Sequence, residues 1–294
     1  MQRHKKVMSM FVPFWLVTTN HLEGRLWFKD DQDFKAAMNL VAVLSLKLHG
    51  RIISFVLMSN HVHFVLQCTW EEARSFIDSF KRMYSRYYSL KYGVHEFLRE
   101  NSVDIQELRI EDGSLERGIA YVQMNSVAAK ICLDPSGYTW GTGSAFFNRN
   151  KPKYVLAGTL SARALIRLTH SKAPIPDDFL IDERGFIAPE SYVPVEFVEK
   201  IFKTPTRMNY FLSTSSKAKR IKDGPAFKDQ LIVDGAKDLC ISLFQKNSLD
   251  QLDDYQKAEV LRQLRYRFSS DPKQLERVCG IEYNKLCQLL ELFQ

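Results

Sequence analysis

Two runs rich in β-forming residues, Ile52 to Leu57 and His61 to Leu66, are separated by only Met58-Ser59-Asn60. So short a connection predicts a tight antiparallel hairpin. Side chains at i and i+2 of a strand share a face, so His61 and His63 stand side by side while Val62 points to the core. Two imidazoles so placed are a ligand pair for a divalent metal that needs a third donor from elsewhere. A His-x-His pair taken alone is more often structural than ligating, so its surroundings decide.

The hairpin belongs to a longer alternation. Phe11 to Thr19 reads as a first strand. Phe34 to His49 carries apolar residues at helical spacing and is stopped by Gly50; a second helix runs from about Trp70 to Tyr92 and is stopped by Gly93. Asp104 to Ile110 alternates as a strand, and Ser114 to Leu133 is a third helix ending before Pro135. Strand-helix-strand-strand-helix-strand predicts an α+β fold, a ferredoxin-like antiparallel sheet with helices packed on one face. The Gly- and Ser-rich stretch after Asp134 closes a first domain, 1–148. Residues 149–226, with several prolines and the basic stretch Lys217 to Lys222, read as an irregular linker region with short helices. Residues 227–294 read as a mostly α-helical C-terminal domain. Within it, Pro272 to Leu286 has the helix, glycine turn, helix layout of a helix-turn-helix with Leu275, Val278, Ile281 and Leu286 as its core, although a plain helical hairpin fits as well.

The chain of 294 residues has no run approaching the 18–20 or so apolar residues of a membrane span, so no membrane association is expected. Its basic N-terminus lacks a signal-peptide core. The five cysteines are scattered, odd in number and without metal-type pairing, which reads as reduced thiols in a cytoplasmic protein. The net charge of +7 is compatible with a polyanionic partner.

The third helix supplies chemistry to go with the histidines. Tyr121 and Asn125 are four apart and share a helical face. An Asn carbonyl is a hard oxygen donor suited to Mg²⁺ or Mn²⁺, and imidazole tolerates Mn²⁺. His61, His63 and Asn125 therefore make a candidate metal set with positions left for a substrate phosphate. A tyrosine hydroxyl beside it is placed to attack phosphorus and form a covalent intermediate. Phe80 to Tyr92 is the candidate DNA-contact helix. There Lys81, Arg82, Arg86 and Lys91 alternate with Tyr84, Tyr87, Tyr88 and Tyr92, so that cations meet phosphates and tyrosines stack on unpaired bases. The same tyrosine spacing suits a packed helix face. Tyr84 and Tyr87 are rival nucleophiles, disfavoured because Tyr88 and Lys91, at i+4, offer no such oxygen ligand.

His-x-His, then a helix, then Tyr-x-x-x-Asn resembles the HUH single-tyrosine transposases, in particular the REP-associated tyrosine transposases. The matching stretches are Gly24 to Phe28 with Asp30 and Asp31, Met58 to Phe64, Phe80 to Tyr88, Tyr121 to Ala129, and Tyr138-Thr139-Trp140-Gly141 with Ser144. Ser59 and Ser126 stand where family members commonly have Pro. The resemblance covers about residues 10–148. It implies that His61, His63 and Asn125 bind Mg²⁺ or Mn²⁺ and that Tyr121 becomes linked to a 5′ phosphate of single-stranded DNA. It further implies nicking and strand transfer on hairpin-forming or palindromic DNA, with a homodimer as one arrangement. The alternative is a non-catalytic DNA-binding regulator that keeps the fold and reads duplex DNA through its C-terminal helices.

Overall fold

The computed structural model describes residues 12–19, 26–95, 97–99, 101–129, 131–148, 152–216, 229–268, 270 and 272–292. Phe11, Gly24, Arg25 and the basic stretch Lys217 to Lys222 lie outside the described residues.

The first 108 residues hold β1 (Phe14–Thr19), α1 (Asp31–Ser45), β2 (Arg51–Met58), β3 (His61–Gln67), α2 (Trp70–Tyr92) and β4 (Val103–Leu108). The strands form one antiparallel sheet in the order β2-β3-β1-β4, the ferredoxin-like order. Both helices begin where the chain supplies reciprocal caps. Asp30 and Asp33 form a capping box on α1, Thr69 and Glu72 another on α2, and Gly93 ends α2 in the left-handed conformation.

Strand β3 lies between β1 and β2, and its alternate residues part to opposite faces. Phe64 packs edge-on against Phe76 and Phe80 of α2, so Val62, Phe64 and Leu66 belong to the α1/α2 face. His63 and Val65 belong to the other face, which α3 (Ser114–Gln123) covers. Helices therefore lie on both faces, not one.

Residues 152–216 are no linker. The short hairpin β5 (Tyr154–Leu156) and β6 (Leu180–Asp182), with α5 (Ala162–Thr169), seats Ile175, Phe179, Ile181 and Ile187 on Ala42 and Val43 of α1. Helices α6 (Val195–Phe202) and α7 (Pro205–Thr214) place Val198, Phe202, Met208 and Leu212 in the same core as the sheet, and Phe197 stacks on Phe14 at 6.3 Å. Prolines here mark turns between short elements. Their density resembles that of a linker because the apolar residues that anchor each element are spaced too irregularly to show a period.

The C-terminal unit is helical as expected: α8 (Asp229–Phe244), α9 (Asp254–Phe268), α10 (Pro272–Cys279) and α11 (Tyr283–Glu291) around a second core containing Ile232, Leu239, Leu261, Leu264, Leu275 and Leu286. Gly280, at φ 66°, ends α10 before α11 begins. The bundle docks through Leu26, which joins its core, and through the buried Arg267. Arg267 donates from Nη1 to the Phe28 carbonyl at 2.6 Å and from Nε to Gln263 at 3.0 Å, and its guanidinium lies over the Phe34 ring.

Phe202 is fully buried in the sheet's own core. Phe202→Ala should lower the stability of the sheet domain by ~3–5 kcal/mol, read as a shift of the main denaturant transition. Loss confined to a separate, earlier transition would mean that residues 152–216 fold as an appendage.

Candidate active site

The hairpin turn that carries the histidines is pinned on three sides. The Ser59 carbonyl accepts from Trp27 N at 2.8 Å and from Phe28 N at 3.1 Å, while Ser59 Oγ donates to the Arg267 carbonyl at 3.3 Å. His61 and His63 follow directly, both buried, their rings perpendicular with centroids 4.8 Å apart. Each ring is oriented through Nδ1. His61 Nδ1 lies 2.8 Å from Asn60 Oδ1, and His63 Nδ1 lies 3.0 Å from the Thr18 hydroxyl. An amide oxygen can only accept, so His61 carries its proton on Nδ1 when neutral and presents its lone pair at Nε2. Oxygen partners on the far ring nitrogen are the usual support of metal-binding imidazoles.

Helix α3 brings Tyr121 to this pair. Its ring stands perpendicular to His63 with centroids 5.5 Å apart. Met124 interrupts the helix before the single turn α4 (Asn125–Ala128). At that break the buried Asn125 donates from Nδ2 to the Tyr121 carbonyl at 2.8 Å and to the Val122 carbonyl at 3.3 Å. With the amide nitrogen turned back on its own helix, Oδ1 is the end left to act as an oxygen donor. Among the described residues no three His, Cys, Asp or Glu side chains cluster as a metal site. A metal held by the histidines would therefore draw its other donors from neutral oxygens, water or substrate. The donor set suits Mg²⁺ or Mn²⁺ in kind.

The placement of α3 rests on a buried polar network. A bulge in β2 between Ile52 and Ser54 turns Ser54 to the α3 face. Gln123 Nε2 donates to Ser54 Oγ and to Thr142 Oγ1, both at 2.7 Å, and Thr142 Oγ1 accepts from Phe55 N at 3.0 Å. The Tyr138–Gly141 segment lies along the outer edge of β2. Leu57 N donates to the Trp140 carbonyl at 2.8 Å and the Tyr138 hydroxyl to the Leu57 carbonyl at 2.7 Å. Gly141 is required there, because a Cβ would come within 2.6 Å of the Phe55 carbonyl. Sequence reasoning missed Asn60, Thr18, Ser54, Gln123 and Thr142. Asn60 carried a signal, standing beside His61 in the turn; Thr18 carried none, since only strand register joins it to His63.

The helix expected to bind DNA is largely a core helix. Phe76, Phe80, Tyr84 and Tyr88 are spaced by four and form its inward face. Tyr84 is fully buried and donates its hydroxyl to the Trp27 carbonyl; Lys81 is buried and bonds the Asn101 carbonyl. Neither role assigned to them, stacking on bases or holding phosphate, has an exposed group to perform it. Tyr87 bonds Asp33 at 3.1 Å, and Lys91 is ion-paired with Asp30 and Asp33 at 2.6 and 2.7 Å. Burial first, then the Asp33 carboxylate, pushes the Tyr84 and Tyr87 phenols above their ordinary range, and both hydroxyls are already engaged, on the Trp27 carbonyl and on Asp33. Arg82 and Arg86 are exposed. In the C-terminal helical pair, the single cation of α11, Lys285, is bonded to Asp254, so that helix offers little to duplex phosphates.

No family model matches the chain, and no curated protein matches it. Among solved structures, one of a REP-associated tyrosine transposase bound to a REP hairpin is similar over 49% of this chain and 84% of that one, at 13% identity and a TM-score of 0.36. So distant a likeness identifies no site residue.

Tyr84→Phe should cost ~1–3 kcal/mol, because it strands the buried Trp27 carbonyl, and should leave oligonucleotide affinity unchanged. Arg82→Ala with Arg86→Ala should do the reverse. Thermal unfolding and oligonucleotide titration separate the two, and weaker binding by Tyr84→Phe at unchanged stability would return that ring to the DNA interface.

Proposed function

We propose that this protein is a DNA-processing enzyme that cuts and rejoins single-stranded DNA through a covalent bond to Tyr121. The observation that carries the reading is the ring contact of Tyr121 with His63, itself in ring contact with His61. Three side chains suited to phosphoryl transfer, from two elements far apart in sequence, meet on one face of the sheet. Asn125, one turn beyond Tyr121 and with its amide nitrogen engaged, is the proposed third protein donor. Mg²⁺ or Mn²⁺ held by His61, His63 and Asn125 would supply positive charge to a phosphoryl oxygen.

The chain's own residues do the remaining work. The Tyr121 oxygen forms the new bond to phosphorus as the bond to the 3′ oxygen breaks. The phenolic proton passes to solvent and the departing 3′ oxygen takes one up. The energy of the phosphodiester is kept in the phosphotyrosine bond, so attack by a 3′ hydroxyl reverses the step without ATP. Thr18 and Asn60 fix the imidazoles, and the Ser54-Gln123-Thr142 network fixes the helix bearing the nucleophile. Arg82 and Arg86 are proposed backbone contacts. Single-stranded DNA with a hairpin or palindrome is the proposed substrate.

Labelled hairpin oligonucleotides incubated with protein and Mn²⁺ should yield a covalent adduct on a denaturing gel. The adduct should vanish in Tyr121→Phe and fall by at least ~100-fold in His61→Ala or His63→Ala, the scale on which general positioning and charge stabilisation operate. Adduct persisting in Tyr121→Phe would sink the nucleophile assignment.

A further inference from the structure

The acid-free stretch that leads into the region packed on α1 runs from Pro135 to Pro176 and carries Arg149, Lys151, Lys153, Arg163, Arg167 and Lys172. At the chain's average of 34 Asp and Glu in 294 residues, its 42 residues would hold about 5 acids. The structure turns this one-signed composition into a surface. Helix α5 spends its apolar side, Leu165 and Leu168, on the cluster around Ala42 and Val43. The buried Asn39 amide staples the arrangement, donating to the Leu168 carbonyl at 3.0 Å and accepting from Ile187 N at 2.8 Å. Arg163 and Arg167, four apart, are left exposed on the outer side.

Between α5 and α1 lies an open cleft of about 450 Å³, lined by Gln32 and Lys35 of α1, Tyr87 of α2, Arg167 of α5 and His170 just after it. Among the described residues, neither Lys35 nor Arg167 enters an ion pair. Two of the acids nearby are engaged: Asp182 is bonded by Arg184 at 2.8 Å, and Asp33 is paired with Lys91. His170 holds a left-handed backbone at φ 52° with its ring on Tyr87, centroids 5.2 Å apart. Burial keeps that imidazole below its ordinary range, so at neutral pH it offers hydrogen bonds and the charge comes from Lys35 and the arginines.

We propose that Lys35, Arg163 and Arg167 form a second site, one that holds the sugar-phosphate backbone of a nucleic acid. Guanidinium groups outside any ion pair suit phosphate oxygens. A membrane surface fits poorly: α5 is eight residues long and turns Leu165 and Leu168 inward, so Ile166 is its one large apolar side chain on the surface, too little for an interfacial helix. The cleft lies on the α1/α2 face, opposite the histidines and Tyr121. Phosphates held there cannot be the ones undergoing cleavage. The site therefore grips a stem or flanking arm that passes around the sheet. The partner class rests on the proposed function, but binding is measured here without need of cleavage.

The test is equilibrium binding of a labelled DNA hairpin with single-stranded arms to the full chain across a NaCl series. Wild type is compared with Lys35→Gln/Arg163→Gln/Arg167→Gln and with the charge-matched control Lys203→Gln/Lys237→Gln/Lys246→Gln. The cleft variant should bind roughly tenfold or more weakly, with the slope of log K against log[salt] shallower by about 2–3, since each phosphate contact contributes about 0.7–0.9. The control should stay close to wild type. Equal losses in both variants would reduce the effect to net charge and overturn the site, as would a wild type that binds no hairpin. Anionic vesicles form a third arm; vesicle binding lost only in the cleft variant, with hairpin binding intact, would also overturn it. A chain that passes this test yet forms no Tyr121 adduct would retain the second site and lose the proposed chemistry.

Discussion

The two-residue alternation of a central strand organises this molecule. Strand β3 is paired on both edges, so it cannot slip without breaking two ladders. Its even and odd positions are therefore committed to different faces. Val62, Phe64 and Leu66 build the aromatic core under α2, while His61 and His63 are delivered to the face that α3 covers. A shift of one residue would bury the imidazoles under Phe76 and Phe80 and turn the phenylalanine to the face of α3. The energetics of the core and the geometry of the site are thus set by one register.

Around that strand the fold spends polar groups on position. Ser59 is held by Trp27, Phe28 and Arg267, so the turn before the histidines touches both the sheet domain and the C-terminal bundle. Gln123 lies midway between Tyr121 and Asn125 and is bonded to two buried hydroxyls. A buried amide left without such partners costs several kcal/mol, so the network tolerates one orientation of α3. That orientation turns Tyr121 toward His63. The bundle also reaches the sheet domain through Arg267, whose guanidinium lies over the Phe34 ring beside the Phe28 carbonyl.

The two faces of the sheet carry different chemistry. One joins imidazoles, a phenol and an amide in a largely buried setting. The other, built out by the β5–β6 hairpin and α5, ends in an open basic cleft beside the paired acids Asp33 and Asp182. The helix between β3 and β4, rich in cations and tyrosines, serves mainly to hold the layers together. Its charges at Lys81 and Lys91 are consumed within the protein, as carbonyl and carboxylate partners.

The strand and helix order, the hairpin, the pairing of His61 with His63 on one face and of Tyr121 with Asn125 on one helix are properties of the sequence alone. They follow from local rules: a period of two for strands, near four for helices, and glycines and caps at the ends. Strand-helix order also sufficed for the ferredoxin-like sheet. The destination of each face was beyond those rules. Whether Tyr84 faced water or Trp27, whether residues 152–216 linked or packed, and whether Thr18 met His63 depended on partners up to some 180 residues away. Such contacts leave no periodic trace in the chain. Only the tertiary structure decided them, because burial and hydrogen-bond satisfaction are settled between elements and not within them.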